Sequence, residues 1–402
     1  MDFKRSEIMD QLPKQYFAHL VKTVNELKNT GADIINLGQG NPDQPTPPHI
    51  VDSMKSAVEK YENHRYPPFR GHSYVKEAAA SFYQQQFGVE LDPEKEVCVL
   101  FGGKGGLVEV SQCLLNKGDT ALVPDPGYPD YWSGVALAGG QMEMMPLIKE
   151  NHFLPDFTEV SAESLKKGKL MFLNYPNNPT GAAANKEFFE ETVKVAREHD
   201  LCVVHDFAYG SIGFDNKKPL SFLETEGAKE TGIEIFTLSK TYNMAGWRIA
   251  FAVGNASVIE MLNLYQDHMY VSIFGAVQEA AATALTGSQD CVEELVQMYE
   301  ERRNTLIKGL HSIGWQVEAP AGSFFAWLPC PDGMTSDETA ELLLHEAYVA
   351  VAPGRGFGEH GEGYIRVALT EEKERLEEAV ERIKRCLGDR GTHSGAWHHS
   401  QP

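Results

Sequence analysis

Leu170-Met171-Phe172-Leu173-Asn174-Tyr175 is an apolar run that stops at Pro176-Asn177-Asn178-Pro179-Thr180-Gly181; Lys186–His199 then repeats apolar residues at helical spacing, and Leu201-Cys202-Val203-Val204-His205-Asp206 is a second apolar run. Run, turn, helix and run make a strand–helix–strand unit, and strands apolar on both faces belong to a mainly parallel sheet covered by helices. Outward from this stretch, Val97–Phe101, Ala121–Pro124, Ile233–Leu238 and Ile249–Val253 read as further buried strands, and Ser257–Gln266 as a helix. One α/β unit is therefore expected over residues 46–290. Beyond it, Phe324–Leu328, Tyr348–Val351 and Tyr364–Leu369 are strand-like. A final helix carries Leu376, Val380, Ile383 and Leu387 on one face, behind an N-cap expected at Thr370 with Glu371 and Glu372 in the first turn. Residues 291–388 thus read as a smaller α+β unit. Residues 1–45 form no domain alone and are expected as an N-terminal arm and part of the smaller unit. Residues 389–402, rich in Gly, His and Ser, read as a disordered tail.

The 402 residues are 42 % apolar and 23 % charged, the composition of a folded globular protein. With 36 basic and 57 acidic side chains the net charge is −21, a field that repels polyanions, so nucleic acid and anionic membranes are excluded as partners. No stretch approaches the roughly 18 apolar residues of a spanning helix. The opening Met-Asp-Phe-Lys-Arg-Ser-Glu lacks the apolar run of a signal peptide, and six scattered cysteines without a C-x-x-C pair read as reduced thiols of a cytoplasmic protein. No metal motif is present, and no internal repeat.

Four segments carry chemistry. Thr237-Leu238-Ser239-Lys240-Thr241 leaves a buried strand, where poor hydration lowers a lysine's pKa and frees a nucleophilic amine; flanking hydroxyls and Arg248 suit a phosphate. Alone, Lys240 is equally readable as a surface lysine in a polar loop. Gly102-Gly103-Lys104-Gly105-Gly106 lets backbone N–H groups approach an anion at a helix start, although a plain turn is the simpler reading of that segment by itself. Asn174–Gly181 is a constrained turn at the carboxyl edge of the sheet, where α/β proteins place ligands. His205-Asp206-Phe207-Ala208-Tyr209 sets a carboxylate and a phenol at the same edge, and a carboxylate there calls for a cationic partner such as a pyridinium nitrogen. Gly354-Arg355-Gly356-Phe357-Gly358 reads as a flexible loop.

In that order, N-N-P-T-G, then D-x-x-Y, then T-L-S-K with an arginine eight residues after the lysine, the chain resembles the class I aminotransferases, pyridoxal-phosphate enzymes of fold type I, over about residues 5–388. The resemblance implies a seven-stranded, mainly parallel sheet and pyridoxal 5'-phosphate as cofactor. It implies that Lys240 forms the Schiff base, that Asp206 pairs with the pyridine nitrogen, that Tyr209 and Asn178 bond the ring hydroxyl oxygen, and that Tyr128 stacks on the ring. Gly103, Lys104, Thr237, Ser239 and Arg248 would hold the phosphate. Tyr66, in Arg65-Tyr66-Pro67-Pro68, resembles the tyrosine that reaches the partner subunit's phosphate, which implies a homodimer with shared active sites. Arg366 would clamp the substrate α-carboxylate, with Gly40 and Asn178 nearby.

Substrate choice is expected to rest on the side-chain pocket. Leu12–Ala18 resembles a segment that closes over substrate, with Tyr16 and Phe17 as an apolar lid or simply as docking residues of the arm. Tyr265–Gln278 contains no arginine for a dicarboxylic substrate. The pattern looks most like the bacillus-type transaminases of methionine salvage, which convert 4-methylthio-2-oxobutanoate to methionine with an amino-acid donor. Aromatic, alanine and diaminopimelate aminotransferases share most of these motifs. A C–S lyase would use the same Lys240 and Asp206, whereas a regulator on this fold would need a basic DNA-binding domain that is missing here.

Overall fold

A computed structural model describes residues 1–388; the tail expected over 389–402 lies outside the described residues. After a short β1 (Ile35–Asn36), seven strands build the large sheet: β2 (Val97–Leu100), β3 (Thr120–Asp125), β4 (Gln141–Pro146), β5 (Gly168–Asn174), β6 (Cys202–Asp206), β7 (Gly232–Thr237) and β8 (Ala250–Gly254). Their order is β2-β8-β7-β6-β5-β3-β4, parallel except for β8, which runs antiparallel to both neighbours. Six of the seven strands are almost wholly buried, as strands covered on both faces must be.

The helix Lys186–His199 lies where its periodicity puts it. Asn185 caps it by accepting the Phe188 N–H (2.8 Å), worth ~1 kcal/mol, and Phe188, Phe189, Thr192, Val193 and Ala196 form its buried face. A second, smaller sheet pairs β12 (Tyr364–Ala368) with β9 (Phe325–Pro329) and β11 (Ala352–Pro353), while β1 pairs with β10 (Val349–Ala350). Its core also takes in Tyr209, Ile212 and Phe214 from the segment after β6. Among the described residues no helix is long and apolar enough to cross a membrane.

Several local expectations are corrected. Strand β4 escapes a search for β-branched runs because Gln141-Met142-Glu143-Met144-Met145-Pro146 is an edge strand, half exposed, with a single partner. Leu238 leaves the strand: Thr237 caps the short helix Leu238–Thr241 by accepting the Ser239 N–H. The glycines of 102–106 are not a turn but the first turns of the helix Gly102–Leu114, and a Cβ on Gly106 would collide with Leu100. Thr370 is no N-cap. The helix begins at Lys373, and the Thr370 hydroxyl donates to the Gln39 carbonyl (3.3 Å). Gly354–Gly358 is no flexible loop either, since Gly354–Phe357 is a buried 3-10 turn.

Asp43 and Arg302 tie the N-terminal arm to the helix Asp290–Ser312. The Arg302 guanidinium is nearly inaccessible, grips both Asp43 oxygens (2.8 and 2.9 Å) and donates to the Leu369 carbonyl (3.0 Å). Burial alone would raise the Asp43 pKa, but the hydrogen bonds from Arg302 and Gln44 outweigh it and hold the carboxyl below its usual range. Asp43→Ala strands the buried guanidinium, with an expected loss of ~3–5 kcal/mol measured by denaturant unfolding. A depressed folded pKa means that the pair's contribution is complete above about pH 4 and fades as pH falls through the folded value. The wild-type-to-variant gap must therefore narrow in acid; a gap that widens would contradict the pairing.

Candidate active site

The carboxyl ends of β5, β6 and β7 lie side by side, so Asn174, Asp206 and Thr237 share one rim. Against this rim, segments of both chain ends enclose a cavity of about 450 Å³. Its lining includes Tyr16, Gly40, Gly103, Lys104, Tyr128, Asn178, Asp206, Tyr209, Thr237, Ser239, Lys240, Arg248 and Arg366. Of the residues singled out from sequence, only Tyr66 lies elsewhere, 89 % exposed on the surface.

Lys240 Nζ donates to the Gly40 carbonyl (3.0 Å) and stands 5.4 Å from the centre of the Phe324 ring. Burial, followed by the positive charges of Arg366 and Arg248, pushes its ammonium down to about 8, so roughly a tenth is free amine at pH 7. Asp206 is fully enclosed. Burial raises its pKa against the hydrogen bond that the Tyr131 hydroxyl donates to Oδ2 (2.8 Å). No ion pair reaches Asp206 among the described residues, which leaves a desolvated carboxylate facing a cavity that a cation would fill. Tyr131 itself is held by stacking on Phe172 (4.9 Å) and by Tyr128 edge-on (5.9 Å).

Also lining the cavity, the Thr237 and Ser239 hydroxyls are hydrogen-bonded to each other (2.9 Å) beside the N-terminus of the helix Gly102–Leu114. Arg248 adopts a left-handed backbone (φ 56°) that turns its guanidinium over Gly102, where any Cβ would collide with it. A helix start, two hydroxyls and a guanidinium are an anion site. Lys104 contributes differently from expectation: its ammonium is paired with Asp130 (3.0 Å), so what remains for an anion is its place in the helix's first turn.

Arg366 is buried between Phe325 (4.1 Å) and Phe357 (4.6 Å). Its terminal nitrogens donate to Asn178 Oδ1 (2.9 Å) and to the Gly38 carbonyl (3.0 Å), while its Nε is buried without a hydrogen-bond partner among the described residues. Above it, Phe17 packs on Phe357 (5.0 Å) and the Tyr16 hydroxyl donates to Asp337 (2.7 Å). Gly356 has to be glycine here, since a Cβ would run into the Tyr16 and Phe17 rings.

Sequence reasoning missed Tyr131, Phe325 and Phe357. Tyr131 carried a usable signal, because it follows Tyr128 by three residues and shares its face of a helix start; the two phenylalanines carried none, lying far away in sequence. The site as a whole fits pyridoxal phosphate: an anion site, an unpaired buried carboxylate for a ring nitrogen and a depressed-pKa amine line one cavity.

Residues 32–383 match the family described as aminotransferase class I and II. Over 383 residues the chain is 64 % identical to the L-glutamine–4-(methylsulfanyl)-2-oxobutanoate aminotransferase of Bacillus subtilis strain 168, covering 95 % of this chain and 96 % of that protein. It is 47 % identical to an LL-diaminopimelate aminotransferase of Moorella thermoacetica over 378 residues, 94 % of this chain and 97 % of the relative. Among solved structures, apo-BacF of Bacillus subtilis superposes with a TM-score of 0.92 at 47 % identity, over 96 % of this chain and 98 % of the other. A Thermus thermophilus aspartate aminotransferase double mutant superposes at 0.90 with 29 % identity, over 96 % and 100 %. This chain belongs to the class I and II aminotransferases and is a pyridoxal-phosphate-dependent transaminase.

Proposed function

We propose that this enzyme moves an amino group from an amino-acid donor to 4-methylthio-2-oxobutanoate, yielding methionine, as a cytoplasmic homodimer with shared active sites. The observation that carries the substrate is the 64 % identity, nearly end to end, to a relative bearing that activity in its name. The cavity agrees. Its lid is aromatic, and the carboxylates lining it among the described residues are Asp130, which is bound to Lys104, and Asp206, which is assigned to the cofactor. A distal ammonium such as that of diaminopimelate would find no free counter-charge among the described residues of this chain.

Bound pyridoxal phosphate supplies the carbonyl that takes up the amino group and the electron sink that lets the Cα proton leave. In this reading Asp206, steadied by Tyr131, holds a proton on the pyridine nitrogen. Tyr209 and Asn178 orient the ring oxygen, and Tyr128 fixes the ring plane. Gly103, Lys104, Thr237, Ser239 and Arg248 anchor the phosphate. Lys240 Nζ carries the proton to and from Cα, and Arg366 holds the substrate α-carboxylate so that Cα faces that amine. Exposed Tyr61, Tyr66, Phe69 and Phe274 give the dimer an aromatic surface from which Tyr66 reaches the partner's site.

A panel of 2-oxo acids at fixed glutamine or glutamate is expected to show the highest kcat/KM for 4-methylthio-2-oxobutanoate. Pyruvate and ammonia released from cystathionine without any acceptor would instead establish a lyase. Lys240→Ala should cut turnover by ~10²–10⁴-fold. Because only the free amine is nucleophilic, cofactor capture by stripped wild-type protein should accelerate with pH and level off near 8; a rate still climbing to the ordinary lysine range refutes the depressed pKa. Mixing Tyr66→Ala with Lys240→Ala protein should restore activity above either parent, because a hybrid dimer contains one intact shared site. No gain after confirmed subunit exchange would remove Tyr66 from the partner's site.

A further inference from the structure

Beside Asp206 on β6 stands His205, fully buried, whose side chain points to the other face of the strand. Glu234 on β7, also fully buried, accepts four hydrogen bonds: from the Tyr83 hydroxyl (2.8 Å), the Ser221 hydroxyl (2.6 Å), the Phe222 N–H (2.8 Å) and His205 Nδ1 (2.7 Å). On the far side of the imidazole, Nε2 accepts the backbone N–H of Tyr175 (3.1 Å). A backbone N–H has no choice but to donate, so Nε2 keeps its lone pair and the ring proton sits on Nδ1, facing Glu234. Phe189 and Phe207 pack against the ring at 5.2 and 5.1 Å.

Tyr175 follows immediately after the point at which the ladder of β5 and β6 ends, at Asn174 opposite Asp206. Its N–H is buried beyond the last strand pair, and without the imidazole it would have no acceptor. The same turn continues into a chain of bonds: Asn174 donates to the Asp206 carbonyl (2.8 Å), the Asn178 N–H donates to Asn174 Oδ1 (2.8 Å), and Asn178 Oδ1 receives Arg366 (2.9 Å).

The geometry points to His205, held in one tautomer by Glu234, as a positioning residue for the substrate-carboxylate clamp: by accepting the Tyr175 N–H it seats the Asn174–Asn178 turn that aims Arg366. This rests on the reading of Arg366 as the carboxylate clamp. Glu234 thereby acts on the opposite side of the sheet from the cavity, through a single ring.

Asparagine and glutamine separate the two ends of the imidazole, since an Asn amide reaches about as far as Nδ1 and a Gln amide about as far as Nε2. His205→Asn keeps the donor to Glu234 and abandons Tyr175; His205→Gln keeps an acceptor for Tyr175. In the cofactor-loaded enzyme, His205→Asn should raise KM for donor and acceptor alike, and the calorimetric Kd of hexanoate, a carboxylate with no reacting group, by ~10-fold. kcat should fall by less than ~3-fold, and His205→Gln should recover most of the loss. In an Arg366→Ala background the Asn substitution should leave hexanoate binding within ~2-fold of that background. Equal losses in Asn and Gln variants, a loss confined to kcat, or an undiminished effect without Arg366 would reduce His205 to a core residue and overturn the proposal. Arg366→Ala alone judges the clamp: unchanged hexanoate affinity there rejects that reading by itself. Should neither His205 variant fold, ¹⁵N-histidine NMR of the wild-type enzyme decides, with an Nδ1–H ring expected and an Nε2–H ring refuting the relay.

Discussion

Asp206 is a carboxylate taken out of water at the end of a parallel strand, with no ion-pair partner among the described residues. Such a group is expensive, and the surroundings can be understood as the means of keeping it in place. Tyr131 donates to one oxygen, and Phe172 supports the Tyr131 ring from below. Asn174 holds the Asp206 carbonyl, and β7 flanks the strand on its other edge. What these contacts leave unsatisfied is a positive charge, which the ring nitrogen of pyridoxal phosphate would supply in the proposed pairing.

Lys240 and Arg366 show the same principle with opposite sign. Desolvation lowers the proton affinity of both, that of Arg366 to about 10 and that of Lys240 to about 8, where the charges of Arg366 and Arg248 add to the effect. Arg366 stays charged at neutral pH, while Lys240 holds a free-amine fraction of roughly a tenth that grows as pH rises through 8. One environment therefore furnishes a permanent cation for a carboxylate and a titratable amine for chemistry. The difference arises because a delocalised guanidinium starts two units higher and is sandwiched between aromatic faces that favour its charge.

How much of this was legible in the chain depends on range. Lys186–His199 could be read to the residue because its cap, its apolar stripe and its end are all local. Lys240, Asp206 and Asn178 could be placed because strand ends in a parallel sheet gather at one rim whatever the distant chain does. Strand β4 was invisible because an edge strand with one neighbour has no need of an apolar, β-branched sequence. Gly354–Gly358 looked flexible for the converse reason: its glycines serve close approach, of the Tyr16 and Phe17 rings to Gly356 and of Asp125 to Gly358, and both partners lie more than two hundred residues away. Glycine alone does not say whether a segment is loose or tightly packed.

The proposed carboxylate clamp gathers three distant pieces of chain. Gly38 from the arm and Asn178 from the large sheet both accept from Arg366 of β12, and Gly40 accepts from Lys240. Arg302 then fixes the arm through Asp43 and the end of β12 through the Leu369 carbonyl. The arm's place is set by hydrogen bonds to groups that are themselves buried, so it cannot shift without stranding a charge. A chain of net charge −21 can accordingly hold two anionic groups in one cavity: long-range repulsion acts through water, whereas inside the cleft the field belongs to the few cations that face it.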